Sequence, residues 1–133
     1  MILYVNGCSH TAAAEAVVPE CFAEDDGKAG IDRRPHPKNL AASYATLVAN
    51  ALGAELVCDA QSGGSNARVL RTTRDWISQN SHKLTDTVML IQWTTWEREE
   101  WFHQGTWYQV NASGVDWVPK ELKKKYNWFY WWR

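Results

Sequence analysis

The chain has 133 residues, 14 basic and 15 acidic side chains and a net charge of −1. That length suits one domain with its own core, and the charge balance offers no bulk electrostatic attraction for nucleic acid. Three irregularly spaced cysteines, Cys8, Cys21 and Cys58, do not make a disulfide framework. The N-terminus lacks the basic and apolar stretches of a signal peptide, and no apolar run reaches the ~20 residues of a membrane span. The expected setting is cytoplasmic and reducing.

Ile2-Leu3-Tyr4-Val5 is a continuous apolar run of strand formers ending at Asn6-Gly7, the pattern of a buried parallel strand. Residues 11–18 predict a helix with Thr11 as its cap, and residues 19–38, with Pro19, Gly27, Gly30, Pro35 and Pro37, predict a long surface loop. Leu40, Tyr44, Leu47, Val48, Ala51 and Leu52 recur at helical spacing, so a helix is expected over 39–52 with Asn39 as N-cap and Gly53 as its stop. A second strand is expected over 54–60, a helix over 66–80 after the loop Ser62-Gly63-Gly64-Ser65-Asn66, and a third strand over 87–92. Strands alternating with helices predict right-handed crossovers and a parallel sheet. The expected fold is a three-layer, flavodoxin-like α/β sheet with strand order 2-1-3, in a single domain over 1–133.

Eight of the nine tryptophans lie at or after position 93. The chain therefore divides into an α/β-patterned part, 1–96, and an aromatic-rich extension, 97–133. Trp107-Tyr108-Gln109-Val110 suggests a further strand. The extension is expected to cover the outer edge of the third strand, and its surplus aromatic area to make a homo-oligomer.

In such sheets, sites form beyond the carboxyl ends of the strands. Three loops end there, at Gly7–Thr11, Gln61–Asn66 and Trp93–Glu97. Ser9, just past the first strand, is a candidate nucleophile or a helix cap. Gly63 and Gly64 leave backbone N–H groups free to donate, or form an ordinary turn with Asn66 as cap. Thr94 donates a hydroxyl into the same space or belongs to a capping box. Cys8 is a second nucleophile candidate with nothing in the sequence to lower its pKa. Cys8, His10, Cys21 and His36 are zinc-compatible types, but their spacing does not match structural sites, so no metal is expected. No cofactor is implied.

The strand ending in Gly7-Cys8-Ser9, the loop Gly63-Gly64-Ser65-Asn66 and the polar turn after the third strand resemble, in order, the first blocks of the SGNH/GDSL hydrolases. They look most like phage-encoded members carrying Asn-Gly-Cys-Ser-His-Thr and Gly-Gly-Ser-Asn. The resemblance covers about residues 1–96. It implies an esterase or acyl hydrolase with Ser9 as nucleophile and Gly64 or Gly63 as an oxyanion-hole donor, and a small-molecule substrate such as an acylated carbohydrate. The family's third-block Asn falls on Thr94, and Cys8 replaces its usual Asp. Its Asp-x-x-His block, which supplies the base, is absent. Of His10, His36, His82 and His103, His36 in the long loop and His103 in the aromatic extension are the two placed to swing in, and His103 is the base to be tried. Ser9 and His103 make the candidate catalytic pair, with Ser9 N–H, Gly64 N–H and Asn66 or Thr94 as the candidate oxyanion-hole donors. The missing block leaves two functions open: a serine ester hydrolase, or a non-catalytic binding or assembly module of the same fold.

Overall fold

The computed structural model describes residues 1–24, 32–111 and 118–124. The first apolar run forms the centre of a three-stranded parallel sheet. β1 (Ile2–Asn6) pairs with β2 (Glu55–Cys58) on one side and β3 (Thr87–Ile91) on the other, in the order β2-β1-β3 expected from the alternation. Leu3 lies opposite Leu56 and Val88, and Val5 opposite Cys58 and Leu90.

Successive residues of β1 serve opposite faces. Leu3 and Val5 form a core with Ala45 and Ala49 of α2 (Tyr44–Leu52). Tyr4 and Asn6 serve the face towards α3 (Asn66–Gln79). The Tyr4 ring lies 4.6 Å from that of Trp76. The fully buried Asn6 amide nitrogen lies within hydrogen-bond reach of Tyr4 Oη, Thr72 Oγ1 and the Val69 carbonyl, while its carbonyl oxygen accepts from Gly7 N–H. A polar residue at this buried strand end is thereby satisfied.

The helix expected over 39–52 is two. α1 (Pro37–Ala41) and α2 are separated at Ala42–Ser43, where the Ser43 hydroxyl accepts from Thr46 N–H and starts the second helix. Gly53 closes α2 in the left-handed conformation, as its position predicts. Asn39 is not a cap. It is buried within α1, where its side chain accepts from the N–H groups of Val17 and Val18 and donates to the carbonyls of Val18 and Glu20. Residues 11–18 form turns rather than a helix. Ala13 and Glu15 have positive φ, and the Thr11 hydroxyl is engaged by Gln92 and Tyr44 instead of capping. A 3-10 helix over Ser81–Asp86 leads into β3.

The extension departs most from expectation. β4 (Glu99–His103) and β5 (Thr106–Val110) form their own antiparallel hairpin, turning at Gln104-Gly105 with φ of 47° and 80°. It packs on α3 rather than extending the main sheet, because its polar residues pair with that helix. Glu100 meets Arg71, Gln109 meets Ser65, and the Arg71 guanidinium lies 5.0 Å from the centre of the Trp107 ring. Among the described residues no strand pairs with the outer side of β3, and Val88 is 45% exposed. Residues 120–124 are helical. Trp117, Trp128, Trp131 and Trp132 lie outside the described residues. No helix among the described residues is long and apolar enough to cross a membrane.

Candidate functional site

Because all three strands run the same way, the loops that follow them meet at one edge. Backbone bonds join them: Gln61 N–H donates to the Gly7 carbonyl, and Gln92 N–H to the Asn6 carbonyl. Gly7 is required here. A Cβ on it would run into the Thr11 side chain and lie 3.1 Å from Gln92 Cβ. Gly64 is equally close-packed, with a Cβ position 3.0 Å from the Gln61 carbonyl and 3.6 Å from that of Gly7.

Ser9, Gly64, Asn66 and Thr94 thus gather at the same edge, but three of them are occupied with holding it together. Gly64 N–H donates to the Gln61 carbonyl at 2.9 Å. The Asn66 side chain pairs with the Thr94 backbone, donating to its carbonyl at 3.0 Å and accepting from its N–H at 2.7 Å. The cap of α3 is Ser65, whose hydroxyl oxygen accepts from Arg68 N–H. His103 lies on β4 outside the border of the cavity described next, with its Nε2 buried and without a hydrogen-bond partner. His36 is the N-cap of α1, its Nδ1 accepting from Lys38 N–H. His82 lies in the 3-10 helix before β3, away from the strand ends.

A cavity of about 740 Å³ opens at this edge. Ser9 and His10 border it from the first loop, Ser62 and Gly63 from the second, and Arg98, Gln109 and Asn111 from the hairpin and its approach. Of the four histidines only His10 does so. Cys21, Phe22 and Arg33 supply a further wall. A short antiparallel contact of Phe22 with Pro35 holds that wall in place. The buried Gln61 side chain accepts from Arg33 N–H at 2.7 Å, tying the wall to the β2 loop. No periodic signal marks Arg33, which lies in the Pro-rich loop, or Arg98, which lies in a run of charges.

Two thiols lie at this edge in different environments. Burial pushes the Cys21 thiol up, despite the Ser62 hydroxyl, and Glu15 beside it adds to the effect. At Cys8, burial opposes ionisation, but the His10 N–H, the Thr94 hydroxyl, the Arg98 charge and the Ser9 hydroxyl outweigh it and hold the thiol below its ordinary range. Cys8 is 3% exposed and does not border the cavity.

A family model described as a family of unknown function (DUF6071) matches residues 25–125. The chain belongs to DUF6071. No curated protein and no solved structure matches it. This overturns the SGNH/GDSL resemblance: the match is to DUF6071, with no SGNH/GDSL signal beside it. The blocks that carried the resemblance have local structural causes. Gly7 permits a close loop crossing, Ser65 caps α3, and Asn66 fastens the β3 loop. Any parallel α/β sheet needs small and capping residues at those turns. The DUF6071 match spans Arg33, Ser62, Gly63, Arg98, Gln109 and Asn111 of the cavity border.

Proposed function

We propose that this DUF6071 chain is a small-molecule-binding α/β domain whose ligand sits in the cavity beyond β1 and β2. The observation that carries the reading is the cavity itself. It lies at the carboxyl edge of a parallel sheet, has the size of ordinary ligand sites, and is bordered by polar side chains from four separate parts of the chain. We read the sheet and its flanking helices as a short three-layer fold of flavodoxin type, and the three free thiols Cys8, Cys21 and Cys58 support a reducing, cytoplasmic setting. A fragment screen by amide NMR tests the binding reading. Shifts should cluster at Ser9, Gln61, Gly63 and Asn111, and a broad panel of esters, sugars and small acids that moves none of them removes it.

A second reading, ester hydrolysis by Ser9 on a small or carbohydrate-borne acyl group, is favoured by one observation: Ser9 and His10 both border the cavity. A serine needs a base to be a useful nucleophile, and the engaged Gly64 N–H and Asn66 amide leave oxyanion binding to other donors. Turnover of nitrophenyl acetate that disappears in Ser9→Ala and His10→Ala supports hydrolysis. Turnover that is absent, or unchanged in Ser9→Ala, leaves binding alone. Homo-oligomer formation through the aromatic surface is a further proposal, supported by the exposure of Trp93, Trp96 and Phe102.

A further inference from the structure

Four arginines lie at or near the cavity, and they divide sharply. Arg68 and Arg71 are neutralised. Arg68 Nε lies 2.9 Å from Asp32, and Arg71 pairs with both Asp32 and Glu100. Arg33 and Arg98 border the cavity, and neither forms an ion pair among the described residues. The Arg33 guanidinium is held 3.8 Å over the Phe22 ring. Arg33 Nε and Arg98 Nη1 are closed off from solvent without a hydrogen-bond partner, as is Arg68 Nε, but only Arg68 Nε has a carboxylate beside it among the described residues. An arginine stays charged at any working pH, and a buried guanidinium donor left unmet is costly.

From this we infer that the cavity takes a small molecule bearing an oxyanion, a carboxylate or a phosphate, held between Arg33 and Arg98. The inference rests on the cavity being a ligand site, and it names the ligand's class. Two cations bordering one cavity repel each other until an anion lies between them, and guanidinium geometry matches carboxylate and phosphate oxygens. Ser9 and Ser62 border the same space with hydroxyl groups, which donate to oxygen. Glu15 is the one carboxylate on the described border, and it is exposed and engaged by the Cys21 thiol. The Arg98 charge is also among the influences that favour the Cys8 thiolate behind the cavity border. The cavity, about 740 Å³, is far larger than a bare ion needs. Ala13, Ala14 and Phe22 also border it, so the rest of the ligand is expected to be partly apolar.

The test is an amide NMR titration of the full chain at low ionic strength with inorganic phosphate and with acetate. Glycerol and methyl acetate serve as neutral probes of similar size. The expected result is saturable shifts at Ser9, Ser62, Gly63 and Asn111 with at least one anion, weakened by added sodium chloride. Arg33→Gln and Arg98→Gln should each raise Kd by about tenfold or more, a charge-assisted bond's share. Arg74→Gln, exposed on α3, should leave it unchanged. The tighter of phosphate and acetate identifies the headgroup. If a variant loses its dispersed spectrum, the salt dependence and the neutral probes on the unaltered chain decide the matter. Neutral probes that bind where anions do not overturn the oxyanion inference and leave the ligand site standing. Anions bound equally well by both folded variants also overturn it. Silence from every probe overturns the inference and, with a failed fragment screen, the ligand-site reading beneath it.

Discussion

Arg71 grips both oxygens of Glu100, donating from Nε at 2.9 Å and from Nη2 at 2.6 Å. The Glu100 side chain is 1% exposed, and its Oε2 also accepts from the Gln109 amide. This joins α3 to both strands of the hairpin, and so holds Arg98, Gln109 and Asn111 beside the cavity. Removing one partner of a buried pair strands the other, at a cost of about 3 kcal/mol or more. Arg71 keeps Asp32 as a second partner, so Glu100→Ala is expected to cost about 3 kcal/mol, the low end of that range. Urea denaturation measures it. A loss under about 0.5 kcal/mol, the scale of an exposed pair, would mean that the clamp does not hold the hairpin.

Asn66 plays the corresponding part for the β3 loop. Its amide satisfies both the N–H and the C=O of Thr94. Asn66→Ala leaves both backbone groups without that partner and is expected to cost about 1–3 kcal/mol. Asn66→Asp keeps the acceptor and loses the donor, so it should fall between the two. Equal stability of the Asp variant and the unaltered chain would show that the Asn66 donor contributes nothing, and equal stability of the Ala and Asp variants that the acceptor contributes nothing.

The parallel sheet was legible because its strands are continuous apolar runs and its second and third helices end at Gly53 and begin at Ser65-Asn66, all local signals. The meeting of Ser9, Gly64 and Thr94 at one edge followed from strand direction alone. What those residues do there was not legible, because the same Gly, Ser and Asn serve tight turns and caps as well as chemistry. Asn39 shows this: it has the composition of a cap, yet its side chain reaches across to residues 17–20. Arg33 and Arg98 were missed for a different reason. A charge in a loop looks solvated until tertiary contacts show which arginines have carboxylates and which do not.

The ion network predicts an acid response of definite sign. Burial works against ionisation of Asp32, but its bonds from Arg71 and the charge of Arg68 outweigh that and hold the carboxyl below its usual range. A depressed folded pKa contributes stability that is full above the unfolded value, ~3.9, and is lost as pH falls through the lower folded value. The unaltered chain should therefore lose urea resistance steeply on acidification below about pH 4. Asp32→Asn should be less stable at neutral pH and change less over the same window. Parallel curves for the two proteins would show that Asp32 gains nothing from its arginines.

The Cys8 thiol offers a readout of Arg98 without any ligand. Its pKa lies below the ordinary value through hydrogen bonds from His10, Thr94 and Ser9 and through the Arg98 charge. Arg98→Gln removes the charge and leaves the donors, so the Cys8 midpoint, followed by its Cβ chemical shift, should rise. Thr94→Val, which removes one donor, should raise it too. A midpoint unmoved by Arg98→Gln would mean that the guanidinium does not reach this edge, and would weaken the oxyanion site with it.

Assembly is the last expectation that the described surface bears on. The outer side of β3 has no paired strand among the described residues, and an open edge is a liability for a soluble chain. Nearby positions are apolar and exposed: Val88 at 45%, Trp93 at 59% and Trp96 at 71%. Phe102, 58% exposed, adds ring surface on the hairpin. Soluble monomers seldom leave large contiguous apolar areas in water, so sedimentation at micromolar concentration is expected to show a dimer or larger species. Trp93→Ser with Trp96→Ser should shift it towards monomer, because a ring lost from an interface core commonly costs more than about 1 kcal/mol. A species of 15.2 kDa in the unaltered chain would remove the assembly reading and leave these rings as surface beside the ligand cavity.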